Sequence, residues 1–397
     1  MLPQERIAGI IDAQRKYFVS KRTDQVRDAL PHIPLVKGKA TLIAGMRRCG
    51  KCTLLLQLQK EKEYKDVVYL NFEDICLAGF AAVVFTTLKE EITRRGTQTV
   101  FFDEIHIMPG WEAFVSDLLA QGVAVFITDT NASLCSEPFV RALELFPFSY
   151  REYLHFIRQE ASVESLARYM KVGGIPKMVR NEGTSIMNNL LDDIVVRDIA
   201  VRRGIREVDA LRQLAVYLLS HTGTEVTANS LVGMFGLKSC ATITEFFKCY
   251  QESYLMEMIP LYSESASVRA RNAKRVYAMD VGLINIAWAQ ADPQSRLENL
   301  VFAHLRRTCR NIAYYNQKRV GECHFITIRN NRPERAVHVS RYLSEYNKFL
   351  LYQQLANVLP RLGLKEATVV TMEQQQEFHF KGITIHIVPA YQELLTN

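Results

Sequence analysis

Through the first third of the chain, short apolar runs alternate with longer amphipathic segments. Residues 40–44, 67–71, 99–103 and 123–128 are apolar at nearly every position and rich in β-branched and aromatic side chains, which predicts short strands buried on both faces. The segments between them repeat apolar positions at helical spacing. Strand and helix in alternation predict a parallel sheet covered on both sides. Upstream, residues 6–30 carry Ile7, Ile10, Ile11 and Phe18 on one side of a charged segment, the pattern of a helix leading into that sheet.

Beyond Pro147-Phe148-Ser149-Tyr150 the pattern turns mainly helical as far as Gly204, broken at Gly173-Gly174-Ile175-Pro176. Residues 211–262 predict two apolar helices, a further helix around 239–247 and an apolar hairpin over 254–261, the order of a winged helix. The helix that would read a duplex carries Lys238 and Lys248 but also Glu245 and Glu252, a poor surface for that task, so an interdomain connector stays open beside it. From residue 263, strands at 275–278, 312–315, 323–328, 336–340 and 367–371, with a helix at 297–307, predict a second α/β domain. The expected division is 1–150, 151–208, 209–262 and 263–397.

Composition narrows the class. At 397 residues, 48% hydrophobic and 23% charged, the chain has enough apolar side chain for several cores and is not a disordered sequence. The opening Met1-Leu2-Pro3-Gln4-Glu5-Arg6 has no basic segment followed by an apolar one, and the longest uncharged apolar stretch, residues 75–88, falls short of the ~18–20 needed to cross a bilayer. A cytoplasmic protein without membrane contact is expected. The eight cysteines are scattered except for Cys49 and Cys52, which suits a reducing compartment; no second pair completes a zinc site, and a redox-switchable loop is the other reading of that pair. The net charge of +7 arises after residue 150, in clusters at Arg197, Arg202, Arg203 and Arg206, at Arg269, Arg271, Lys274 and Arg275, and at Arg306, Arg307 and Arg310. Such clusters are candidates for nucleic-acid phosphates, and mixed solvated faces are the plainer reading.

The chemistry concentrates where the first strand ends. Gly45-Met46-Arg47-Arg48-Cys49-Gly50-Lys51-Cys52-Thr53 follows the run 40–44 and opens into an apolar helix, which is the context of a phosphate-binding loop. Backbone N–H groups and the positive end of the helix surround an anion, and the Lys51 ammonium reaches the outer phosphates. The nucleotide-binding candidates are Gly45, Arg47, Arg48, Cys49, Gly50, Lys51, Cys52 and Thr53. Cys52 stands where a serine or threonine normally holds magnesium, and a thiol is a poor ligand for that hard ion. Thr53 projects about 100° further round the helix and does not replace it. The strand 99–103 then delivers Asp103 and Glu104 at its C-terminal end, where ligands of parallel sheets bind. Asp103 is the candidate for the magnesium shell, through water, and Glu104 for polarising the attacking water; ATP and magnesium are the expected cofactors.

These motifs, with Asn71-Phe72-Glu73-Asp74, Phe102-Asp103-Glu104-Ile105, Trp111-Glu112, Gly173-Gly174-Ile175-Pro176, Arg197-Asp198-Ile199, Asp280-Val281-Gly282-Leu283 and Leu297-Glu298-Asn299-Leu300, resemble the prokaryotic AAA-type ATPases that join a P-loop core to a winged helix and a C-terminal restriction-endonuclease-like domain. The resemblance implies an α/β fold of that composition and makes Thr128 and Asn131, at the tip of the 123–128 strand, candidates for sensing the terminal phosphate. Ordinary turn capping is their other reading. Departures point to slow hydrolysis. Besides Cys52, the family's Gly-Ser pair is replaced by Asp129-Thr130, and Arg141-Ala142-Leu143-Glu144-Leu145 stands where a Gly-Arg pair would supply an arginine to the transferred phosphate. In the last domain the family's acid is replaced by His324 within Glu322-Cys323-His324-Phe325, and Val337-His338-Val339-Ser340 offers neither acid nor lysine. Glu298 and Glu322 alone are a thin set for two-metal cleavage, so nuclease activity is not expected; His324 and His338 read as soft-metal ligands or, more plainly, as packed histidines. Two functions stay open: a nucleotide-dependent switch, and a nucleic-acid-binding or protein-interaction module with a vestigial loop. AAA-type modules also form rings, which makes a homo-oligomer a further expectation.

Overall fold

The apolar runs of the first third are strands in the computed structural model, which describes residues 4–21, 23, 25–77, 83–181, 184–287 and 292–396. The chain divides into two units, Met1–Leu145 and Phe146–Asn397. In the first, α1 (Gln4–Ser20), β1 (Ala40–Ala44), α2 (Lys51–Glu61), β2 (Val67–Asn71), α3 (Val84–Arg95), β3 (Thr99–Asp103), α4 (Trp111–Ala120), β4 (Ala124–Asp129) and β5 (Val140–Glu144) follow one another. The five strands form one sheet, β2-β3-β4-β1-β5, with every pair parallel. Every residue of β1 and β3 is buried, so these strands show no polar alternation.

Two expectations for this unit need correction. The helix expected over 6–30 stops at Ser20; its buried stripe is Ile7, Ile11, Gln14 and Phe18, and past it the apolar period is lost. Arg27 lies beyond the helix and is buried, its backbone N–H bonding Gln57 Oε1 at 3.1 Å and its guanidinium the Cys49 carbonyl at 2.8 Å. Strand β5 was not foreseen. It is an edge strand whose exposed and half-buried Arg141 and Glu144 interrupt the apolar run. Of the stretch 75–88, residues 78–82 lie outside the described residues. No described helix is long and apolar enough to cross a membrane.

The second unit opens with α5 (Tyr150–Ile157), α6 (Val163–Val172), α7 (Pro176–Asn181) and α8 (Thr184–Asp193), then a wide π-helical stretch, Ile194–Val201. Ser149 and Glu152 close a capping box on α5, which is why Pro147-Phe148-Ser149 begins a helix. The break after α6 is built around Asp280, whose carboxylate accepts the Gly174 N–H at 2.7 Å and the Gly282 N–H at 2.9 Å, joining two motifs more than a hundred residues apart. Gly173 has φ +78°, and a Cβ there would lie 2.0 Å from Asp280 Oδ1. Gly173→Ala is therefore expected to cost about 3 kcal/mol and to lower this unit's melting temperature by roughly 6 °C; an unchanged melt would show that the turn relaxes.

Next come α9 (Val208–Ser220), β6 (Glu225–Val226), α10 (Cys240–Glu252), β7 (Met256–Pro260), α11 (Ala266–Arg271) and β8 (Lys274–Ala278). The hairpin expected at 254–261 is the single strand β7, and the strand expected at 275–278 in the last domain is its partner, in an antiparallel sheet β6-β8-β7. The polar connection carrying α11 separates the two, so the apolar run had no local mate. After α12 (Ile284–Ala287), α13 (Pro293–Thr308) starts on an Asp292 cap with Pro293 in its first turn. Asn299 of α13 accepts the Ala278 N–H at 2.7 Å and returns a bond to the Ala278 carbonyl at 3.0 Å, so the helix is laced to β8. The last sheet comprises β9 (Ile312–Gln317), β10 (Gly321–Arg329), β11 (Arg332–Val339), β12 (Glu366–Thr371), β13 (Gln376–Phe380) and β14 (Ile383–Pro389), with α14 (Glu345–Val358) between β11 and β12 and α15 (Ala390–Glu393) at the end. Its order is β13-β14-β12-β11-β10-β9, parallel where β11, β12 and β14 meet and antiparallel elsewhere. Leu351, Tyr352, Leu355 and Val358 of α14 pack with Ile326, Val369 and Ile385 of the sheet.

Candidate nucleotide site

Between β1 and α2 the backbone makes the close turns that a phosphate loop needs. Arg48 (φ +66°) and Gly50 (φ +107°) both adopt left-handed conformations, and a Cβ on Gly45 would lie 2.1 Å from the Leu145 carbonyl oxygen. The Gly45 N–H bonds the Asp129 carbonyl at 3.1 Å, fastening the loop to β4. Arg47 makes a forked bond to Glu73 at 2.6 and 3.2 Å, and Cys49 is buried under the loop. Lys51, only 6% exposed, extends its ammonium to the Gly45 carbonyl at 3.0 Å and to Glu104 Oε1 at 3.4 Å. The loop lysine and the strand-end glutamate singled out by the sequence thus meet.

Asp103 and Glu104 leave β3 in opposite roles. Asp103 Oδ2 accepts from the Tyr69 hydroxyl at 2.9 Å and Oδ1 from the Thr128 hydroxyl. Tyr69 also lies 3.2 Å from Cys52 Sγ, and the Lys21 ammonium lies 2.9 Å from the same sulfur. Burial pushes the Cys52 thiol up to about 12, Asp103 adding to the effect against the pull of Lys21, so position 52 presents a neutral thiol near neutral pH. Cys49 is likewise pushed up by burial, and both cysteines are free thiols. Glu104 sits in a left-handed turn (φ +55°), its Oε2 3.6 Å from His106 Nδ1, which is in turn 2.8 Å from Asp129 Oδ2. Thr53 is half-buried on α2. Asn131 Oδ1 accepts the Ser133 N–H at 2.9 Å, a turn cap, while Thr128 is spent on Asp103 and on the Glu104 N–H at 3.3 Å. Sequence reasoning missed Lys21, Tyr69, His106 and Asp129. The signal available was register: β2, β3 and β4 are adjacent, with Asn71, Asp103 and Thr128 level across their ends.

A second polar group lies in the other unit. Glu298 on α13 accepts the Tyr277 hydroxyl at 2.6 Å, Glu322 on β10 accepts from Arg275 at 2.5 Å, and His324 lies 3.9 and 3.7 Å from the two carboxylates. His324 Nδ1 accepts the Val339 N–H at 3.0 Å, which leaves the proton of the neutral ring on Nε2, and His338 stacks on it at 4.0 Å. Burial pushes His324 down to about 3 and Glu298 up to about 7. The basic clusters are mostly engaged within this unit: Arg203 pairs with Glu252, Arg197 with Asp193, Arg269 bonds the Ser263 and Glu264 carbonyls, Arg306 stacks on Phe146 and Arg307 bonds the Pro147 and Phe148 carbonyls.

Residues 37–154 match an AAA domain, and residues 163–295 match a domain of unknown function, DUF8612. Similar proteins include an uncharacterized protein of Methanocaldococcus jannaschii, 26% identical over 403 residues that cover 92% of this chain and 90% of that one. Another, from Haemophilus influenzae, is 28% identical over 295 residues, 67% of this chain and 74% of its own. Among solved structures, the replication initiator DnaA bound to AMPPCP and single-stranded DNA overlaps 60% of this chain and 88% of its own at 14% identity and a TM-score of 0.29. A signal-transduction ATPase with a tetratricopeptide repeat sensor from Pyrococcus horikoshii overlaps 72% of this chain and 47% of its own at 12% identity and a TM-score of 0.26. The matched AAA domain and the parallel sheet with its loop after β1 agree on an AAA-type P-loop ATPase core in the first unit.

Proposed function

We propose that this chain binds ATP at the 45–53 loop, hydrolyses it slowly, and uses nucleotide occupancy to set the state of a winged helix and an endonuclease-like domain in its second unit. The observation that carries this reading is the meeting of Lys51, at the start of α2, with Glu104, just past β3, 3.4 Å apart, beside a position 52 that offers sulfur. Lys51 would exchange loop carbonyls for the outer phosphates, while Glu104, released from that ammonium, would orient the attacking water. The winged-helix reading draws on α9, α10 and the antiparallel sheet β6-β8-β7. Its surface helix carries Glu252, already bonded to Arg203, which favours a connector over a duplex reader. The endonuclease-like reading draws on the α13 and β9–β11 arrangement, and the engagement of Glu298 by Tyr277 and of Glu322 by Arg275 favours an inactive domain.

Hydrolysis tests it. Cys52→Thr supplies the missing hydroxyl oxygen and is expected to raise phosphate release about tenfold, some 1.4 kcal/mol off the barrier, in steady-state assays with ATP and magnesium. An unchanged rate would sever the slow turnover from the thiol.

A further inference from the structure

We infer that the Lys21 ammonium takes the place of magnesium at this loop, so that the chain holds a nucleotide's phosphate tail without a divalent ion. The inference rests on the nucleotide reading above and names how that site neutralises charge.

The residues at the magnesium position do not fit the ion. A P-loop metal needs a hydroxyl from the residue after the lysine and an accessible carboxylate from the following strand. Here the first is the Cys52 thiol. Both oxygens of the second, Asp103, already accept hydrogen bonds, from Tyr69 and Thr128. The Tyr69 hydroxyl spans the gap itself, 3.2 Å from Cys52 Sγ and 2.9 Å from Asp103 Oδ2. A cation is nonetheless built into the place: Lys21 Nζ lies 2.9 Å from Cys52 Sγ.

Packing delivers that ammonium. Lys21 follows directly on α1, whose Ile7, Ile11 and Phe18 are buried. The Phe18 ring stacks on Tyr69 at 4.1 Å, so the hydroxyl that bridges Cys52 and Asp103 and the helix end that carries Lys21 are fixed against each other. The Tyr17 ring lies 5.0 Å from the ammonium and favours its charged form. An ammonium brings three donors and one positive charge, binds phosphate as a point charge, and needs no oxygen shell of its own. With Lys51 of the loop itself, two lysines offset the tail's charge where a P-loop normally uses one lysine and a metal.

The experiment is equilibrium binding of fluorescent ATP to the full chain in magnesium and in EDTA, for the wild type, Lys21→Met and the double variant Lys21→Met with Cys52→Thr. The wild type is expected to change by less than about threefold on chelation, Lys21→Met to weaken in EDTA by about tenfold or more, and the double variant to bind well only with magnesium, by about tenfold. Wild-type affinity that falls about tenfold on chelation would overturn the inference while leaving the nucleotide site standing, as would Lys21→Met binding like the wild type in EDTA. Absence of binding in both buffers would remove the site itself. Should Lys21→Met fail to fold, the wild-type comparison decides alone.

Discussion

Lys51→Ala should lose nearly all affinity for ATP. Its ammonium is 6% exposed and held by loop carbonyls and by Glu104, so it is desolvated and placed before any ligand arrives. Truncating one partner of a buried charge pair costs about 2–5 kcal/mol, much of it from the charge left behind, and here two charges are left, the incoming phosphate and Glu104. That corresponds to roughly a 30- to 4,000-fold rise in Kd. Equilibrium titration of ATP and ADP, beside circular dichroism to confirm that β1 and α2 still fold, checks it. Binding equal to that of the wild type would place the nucleotide elsewhere or nowhere. Comparing Lys51→Ala with Lys21→Met also separates the two lysines: adding Cys52→Thr should restore magnesium-dependent binding to Lys21→Met but not to Lys51→Ala.

The core of this site was legible because it is local. Glycines at 45 and 50 flanking a strand-to-helix turn, and two acids closing an apolar run, are short-range patterns whose chemistry forces their geometry. What surrounds them was not. Lys21 lies in a charged stretch that the apolar period assigned to a helix, and only the stacking of Phe18 on Tyr69 shows where that helix stops and its lysine points. Tyr69 looked like one more aromatic in a buried strand, because nothing within β2 reveals that its hydroxyl faces Asp103 on the neighbouring strand. His106, in the turn after β3, and Asp129, at the end of β4, meet 2.8 Å apart only because those two strands are neighbours in the sheet. The same limit governs the fold. Strands buried on both faces announce themselves, whereas the half-exposed edge strand β5 and the strand β8, paired with β7 across a polar connection, depend on partners that the local pattern does not name.

In the second unit, Glu298→Gln is expected to stabilise the chain at pH 8 and to leave it unchanged near pH 4.5. Burial pushes the Glu298 carboxyl up to about 7, against the Tyr277 hydroxyl bond and the Arg275 charge, which both favour the ionised form. With the folded value above the ordinary carboxyl value, the folded state binds more protons than the unfolded one between about pH 4.5 and 7, so the stability that the protonated group contributes is complete below that window and lost as pH rises through it. The loss amounts to at most about 3 kcal/mol. Gln keeps an oxygen for Tyr277 and sets an NH₂ group in place of the protonated oxygen, so it holds the low-pH arrangement at every pH. His324 acts in the opposite direction: burial holds it neutral, down to about 3, so its contribution is lost as pH falls below the ordinary histidine value. The two windows overlap between about pH 4.5 and 6.5, where the opposing slopes offset each other, so the wild type should be most stable there, and the variant should keep the acid limb while losing the alkaline one. Chemical denaturation at pH 4.5, 6 and 8 reads this directly. A Glu298→Gln difference that does not grow with pH would mean that the carboxyl is ionised in the folded chain throughout, and that water or Arg275 solvates it better than its burial allows.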